Sequence, residues 1–150
     1  IDVARTADAG TLTMKNVSIS KVATGVRLTT TVGTVVGLLE HVSMNNLTTA
    51  IDAAAGGQAL LRNCSINRSG TGVLASAASG LVSVEGSSIS YSGTCVTTSA
   101  AGGVIRLSDN AIYNCSTGIA IPNGQVASDG TNRVFGNGLT TPPNATITLD

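Results

Sequence analysis

Few side chains in this 150-residue sequence could do acid–base or metal chemistry, and those few are scattered. The carboxylates are Asp2, Asp8, Glu40, Asp52, Glu85, Asp109, Asp129 and Asp150. Glu85 and Asp109 come closest to a working pair. If Asp109 lies in register with Gly86 one winding of the chain away, the two carboxyls fall within about 5–10 Å, a separation that serves glycoside hydrolysis or a cation site. The plainer alternative is that both are solvated corner residues, because no Asp-Asp pair and no Gly-His-Gly run stands near them. Arg62, Arg68 and Arg106 share this stretch without obvious acidic counterparts. His41 is the single histidine and follows Glu40. One imidazole does not make a metal site, no Ser/Asp arrangement suggests a triad, and a structural corner role suits it better. No metal or cofactor is expected.

Binding chemistry is better represented. Tyr91, Tyr113 and Phe135 fall at nearly the same corner of three successive repeats, where an aromatic row at about 4.8 Å spacing could stack on sugar rings or simply cover an edge. The triplets Thr29–Thr31, Ala53–Ala55, Ser76–Ala78 and Ser99–Ala101 form a plain small-residue face. Such a face suits ice binding or side-by-side packing of rods, although no regular Thr-x-Thr array is present and ordinary turn composition explains it as well. Cys64 shares a column with Val17 and Val42 and reads as a buried small hydrophobe. Three cysteines leave at least one thiol free in a monomer, and a Cys95–Cys115 bridge stays open as one alternative.

What positions these residues is a repeat. Ile66, Ile89 and Ile112 are 23 residues apart, and so are Leu61, Val84 and Leu107, and Val73, Val96 and Ile119. A fixed period between about 20 and 50 residues marks a stacked architecture. The column extends from Ile19 through Met44 to Val134, giving about six coils of 22–25 residues, with the extra residues placed around Thr30–Thr34. Within each coil, three short runs alternate apolar and polar residues, as in Val82-x-Val84, Ser87-x-Ile89 and Val96-x-Thr98, which is the period of strands with one face inward. Turn formers such as Glu85-Gly86 and Ser92-Gly93-Thr94 separate them. Three strands and three turns in about 23 residues predict a chain that winds once around a triangle and stacks on its previous turn. A helical solenoid is excluded by the missing i, i+3, i+4 pattern. A column of Asn16, His41, Asn63, Gly86, Asp109 and Thr131 marks a bend that asks for left-handed φ, and Gly25, Gly72 and Gly118 read as turn glycines.

Composition agrees with such a stack. Charged residues are 11% of the chain, with net charge zero, against about 25% in ordinary domains. There is no Trp, one Phe and two Tyr, so small and β-branched side chains must fill the core. No basic stripe offers itself to nucleic acid, and no uninterrupted apolar window of about 18 residues forms a membrane span. Ile1–Gly10 matches no column and is expected to be an N-terminal cap or remnant coil over residues 1–11. Residues 12–139 form the coils of a single domain. At the far end Asp129 occupies an expected core position, and residues 140–150 form a cap, with Thr141-Pro142-Pro143-Asn144 closing the edge and Ala145–Leu149 folding back. Any targeting segment is expected to have been removed or to have lain upstream, and the chain reads as the C-terminal part of a longer rod unless Ile1–Gly10 covers the open end.

Repeats with short Asn- and Gly-marked turns resemble the right-handed parallel β-helix, or pectin-lyase-like, superfamily. The segment Asn123–Gly138 with its Thr-Ile-Thr-Leu tail is similar to secreted bacterial β-helix proteins. The resemblance implies an all-β, right-handed, single-stranded parallel β-helix, extracellular or cell-surface. Enzymes of this kind act on acidic polysaccharides, the lyases through Ca²⁺ on clustered acids with an Arg or Lys base, which would make Arg106 the base beside Glu85 and Asp109. The expected role is nevertheless a non-catalytic structural or carbohydrate-binding module with a polysaccharide partner. A polysaccharide lyase or glycoside hydrolase, or its degenerate remnant, is the alternative; an ice-binding or self-assembling solenoid, joined end to end or side by side, comes third.

Overall fold

A computed structural model describes residues 1–5 and 9–147, and every described element is a strand or a turn. The chain begins with β1 (Asp2–Arg5) and then winds through β2 (Gly10–Lys15), β3 (Ser18–Ser20) and β4 (Thr24–Thr30). The next coils run β5 (Val35–Glu40), β6 (Ser43–Asn45), β7 (Thr49–Ala53) and β8 (Gly57–Arg62), β9 (Ser65–Asn67), β10 (Thr71–Ala75). They continue as β11 (Leu81–Glu85), β12 (Ser88–Ser90), β13 (Thr94–Thr98) and β14 (Val104–Ser108), β15 (Ala111–Tyr113), β16 (Thr117–Ala120). Last come β17 (Gln125–Ser128), β18 (Arg133–Phe135) and β19 (Ala145–Thr146). Each strand pairs in parallel with its equivalents one coil away, giving three flat walls. Sheet A holds β1 and every third strand to β16, sheet B holds β2 through β17 with β19, and sheet C holds β3 through β18.

The isoleucine column is one continuous spine. Ile19, Met44, Ile66, Ile89, Ile112 and Val134 are register partners in sheet C, and Met44, Ile66, Ile89 and Ile112 are fully buried. Each such side chain contributes about 1.5–3 kcal/mol by leaving water. The first offset is 25 because Val35 comes seven positions after Leu28, where Gly57 comes four after Ala53. The extra length therefore sits in the Thr30–Thr34 region, as expected.

Two corners of the triangle are turned by left-handed residues. Asn16, His41, Asn63, Gly86 and Asp109 carry φ of 51–56° between sheets B and C. Thr131 departs from this column because Gly130 takes the positive φ there. A second file, which period counting does not mark, turns from sheet C to sheet A: Lys21, Asn46, Arg68, Tyr91, Asn114 and Gly136. From the second coil to the fifth the residue after each of these left-handed corners is buried, as Val42, Cys64, Ser87 and Asn110 are at the first corner and Leu47, Ser69, Ser92 and Cys115 at the second, and several of the later ones are polar. Asn110 Oδ1 accepts the Ser87 N–H at 2.9 Å, its Nδ2 donates to the Val84 carbonyl at 2.8 Å, and Asn132 repeats the pattern one coil on. At the other corner the Ser92 Oγ accepts from the Ser69 N–H, and Asn137 accepts from the Cys115 N–H at 2.9 Å. These side chains satisfy backbone donors that a tight bend pulls out of the sheet ladder.

Several sequence expectations change. Val3 of β1 is the register partner of Leu28, so Asp2–Arg5 forms a strand of sheet A, one too short for its pattern to stand out; Thr6–Asp8 lie outside the described residues. Gly25, Gly72 and Gly118 are strand residues without positive φ, and close approach explains them: a Cβ on Gly72 would lie 2.5 Å from the Cys95 carbonyl oxygen. Down that file Gly25, Ala50, Gly72, Cys95 and Gly118 alternate, each larger residue standing between glycines. The column of Leu107 is continued by Ser128, so Asp129 is one residue past the core position. Ala53 pairs with Leu28 and Ala75 and is fully buried, so the alanine triplet is one residue out of step with the others and Ala54, not Ala53, continues the column of Thr29, Ser76 and Ser99. Ala145–Thr146 adds a further parallel winding beside Ala127 and Ser128, and Asn144 Oδ1 caps the Val126 N–H at 2.9 Å; Leu149 lies outside the described residues.

Candidate functional site

Strands of sheet C are three residues long, so the middle residue points inward and its two neighbours outward. Outside, the face reads Ser18 and Ser20, Ser43 and Asn45, Ser65 and Asn67, Ser88 and Ser90, then Ala111 and Tyr113, then Arg133 and Phe135. Four coils thus present hydroxyls and amides at the spacing of parallel strands, about 4.8 Å. Aromatic rings take over at the fifth and sixth.

The three aromatics do not form a uniform row. Tyr113 and Phe135 are register partners whose rings stack 3° from parallel with centroids 5.2 Å apart. They spend faces on each other. Tyr91 is one residue past that column, at the left-handed corner with φ of 52°. Its ring stands 77° from Tyr113 at 5.9 Å and stays 58% exposed, which leaves at least one face to solvent. The Ser88 hydroxyl, and after it the Ser90 hydroxyl, donates to the Tyr113 phenol and holds its pKa below the ordinary value against the opposing effect of burial. Tyr91, Tyr113 and Arg68 wall a shallow hollow of about 270 Å³ whose floor is Asn45, Ser65, Asn67, Ser88 and Ser90. Arg68 makes no ion pair among the described residues.

The candidate catalytic residues are arranged on sheet B. Glu85 is bound to Arg62, Nε to Oε2 2.8 Å, which corrects the expectation that Arg62 lacks an acidic counterpart; the two are register partners one coil apart. Glu85 and Arg106 line one hollow of about 220 Å³ together with Ser108 and Asp129. Asp109 is not among its lining residues; it sits at the corner, its N–H donating to the Thr131 hydroxyl at 2.7 Å. Glu85 and Asp129 are two windings apart, about 9.6 Å along the rod. Desolvation raises the Asp129 pKa, but hydrogen bonds from the Ser108 hydroxyl and from the Thr131 hydroxyl and N–H outweigh it, leaving the carboxyl below its usual range. Asp129 is therefore not held protonated, as a general acid requires. His41 occupies its corner with Nδ1 3.6 Å from Glu40. Among the described residues no three His, Cys, Asp or Glu side chains come together as metal ligands.

Cys95 and Cys115 form a disulfide, while Cys64 is free, buried and pushed up in pKa by desolvation. Of the polar groups that sequence reasoning missed, Ser69, Ser87, Ser92, Asn110 and Asn137 carried a usable signal: each follows a left-handed corner residue. A family model described as a right handed beta helix region matches residues 3–149. No curated protein and no solved structure matches the chain.

Proposed function

We infer that this chain, which belongs to the right-handed β-helix family, is a non-catalytic module that holds polysaccharide against the outer face of sheet C. The observation that carries this reading is Tyr91, an exposed ring standing beside a floor of serine and asparagine side chains. A sugar has apolar faces and hydroxyl edges, so an open ring beside fixed donors and acceptors complements it. Arg68 adds a cation at the rim. The hollow around Glu85 and Asp129 supports catalysis less well, because Arg62 occupies Glu85 and Asp129 is held low by its own hydrogen bonds. The Cys95–Cys115 bridge favours an oxidising location outside the cytosol.

A polysaccharide array run beside turnover assays on uronic-acid polymers tests the reading. Binding without turnover is expected, and Tyr91→Ala should weaken it about tenfold, or about 1.4 kcal/mol. Turnover that disappears in Glu85→Gln, or binding indifferent to Tyr91→Ala, would contradict it.

A further inference from the structure

Sheet B presents three outward files that take no part in the polysaccharide face on sheet C. Over the first four coils one reads Thr11, Val36, Gln58 and Leu81, the next Thr13, Leu38, Leu60 and Ser83, and the third Lys15, Glu40, Arg62 and Glu85. Leu38 is 39% exposed although it lies mid-strand, and a notch of about 190 Å³ opens beside it, walled by Lys15, Glu40, Leu60 and Arg62. The third file alternates in sign and is paired in twos, Lys15 to Glu40 at 3.0 Å and Arg62 to Glu85 at 2.8 Å. Read in the reverse direction, the sequence plus, minus, plus, minus becomes its own complement.

We propose that the outer face of sheet B is a dimer interface for a second copy of this chain, the two rods packing face to face and antiparallel. The dyad runs along the strand direction between the second and third coils. That operation keeps each file opposite itself and reverses the order of coils. Lys15 then faces the second copy's Glu85, and Glu40 faces its Arg62. Leu38 meets the second copy's Leu60 at the centre, where the notch receives it. A dyad parallel to the rods would instead set the charged file against Thr11, Val36, Gln58 and Leu81, stranding its charges against neutral side chains. Four windings of about 4.8 Å overlap under this dyad, and strands about 17 Å long then give a face of about 330 Å² per copy, about 650 Å² in total. That is below the size of stable complexes, so the contact is a weak one and the dimer should dissociate at about 100 μM or above.

Sedimentation of the full chain across a dilution series, with zero-length carbodiimide coupling of lysine amines to carboxylates, decides the matter. In one copy Lys15 and Glu85 are three windings apart, about 14 Å, too far for direct amide formation, whereas Lys15 and Glu40 can couple within a copy. Expected are a mass that doubles with concentration, a Lys15–Glu85 cross-link confined to the dimer, loss of the dimer in Arg62→Glu, and its return in the double variant Glu40→Arg with Arg62→Glu, which restores complementarity across the dyad. Far-UV circular dichroism confirms that each variant keeps the β-fold. A monomer throughout the series, a dimer indifferent to Arg62→Glu, or cross-links to Glu40 alone would overturn the proposal. Because sheet B and sheet C are separate walls, either outcome leaves the polysaccharide test unaffected.

Discussion

Asn110 offers the sharpest test of how the corners are held. It is fully buried, and its side chain makes three hydrogen bonds: from the Ser87 N–H at 2.9 Å, to the Val84 carbonyl at 2.8 Å and to Asn132 Oδ1 at 2.9 Å. Asn110→Val should fit sterically, since Val42 fills the same column three coils earlier and is buried. It leaves the Ser87 N–H without an acceptor, which costs about 1–3 kcal/mol, and removes two further bonds worth about 0.5–1.5 kcal/mol each. Burial of two methyl groups offsets part of this loss. The net expectation is about 2–3 kcal/mol, or about 4–12 °C in Tm for a chain of this size. Asn110→Ser should cost less, because Ser87 in the same column already accepts the Cys64 N–H through its hydroxyl at 3.0 Å. Asn110→Asp should cost at least as much as the valine, since it keeps the acceptor but buries a charge and loses both donors. Urea denaturation of the three variants ranks them. If the valine variant matches or exceeds the serine variant in stability, the corner file is shape-filling only and the hydrogen-bond account is wrong.

Reducing the Cys95–Cys115 bridge, which spans 20 residues, should lower stability by about 3 kcal/mol, read as a Tm difference with and without reductant. In the same experiment Cys64 should resist alkylation at neutral pH until the protein unfolds, because burial keeps its thiol protonated and covered. Gly72→Ala should cost about 2–3 kcal/mol in a denaturation titration, since the new Cβ would meet the Cys95 carbonyl and Ile89 Cγ2, 2.5 and 2.8 Å away. An equally stable alanine variant would show that the file can widen. Asp129 has its folded pKa depressed, so its stabilisation is complete above the ordinary carboxylate value of about 3.9 and fades as pH falls through the lower folded value. Asp129→Asn should accordingly flatten the acid limb of the stability curve, and an unchanged limb would remove Asp129 from the account.

The sequence by itself determined the vertical order of this protein. When like residues recur every 22–25 positions, only stacking lets all of them be buried at once, and Ile66, Ile89 and Ile112 lie over one another for that reason. The lateral order was decided by the tertiary structure. Whether a residue beside a corner points in or out depends on where the single left-handed residue falls, and a shift of one position reverses every neighbour. Period counting does not fix that position. So Tyr91 left the aromatic column, the alanine triplet moved by one, and strand glycines passed for turn glycines. The same limit hid the Cys95–Cys115 contact, which joins different columns, because a repeat states what lies above a residue and is silent on what lies beside it; the Arg62–Glu85 pair, 23 residues apart in one column, was by contrast legible from the period.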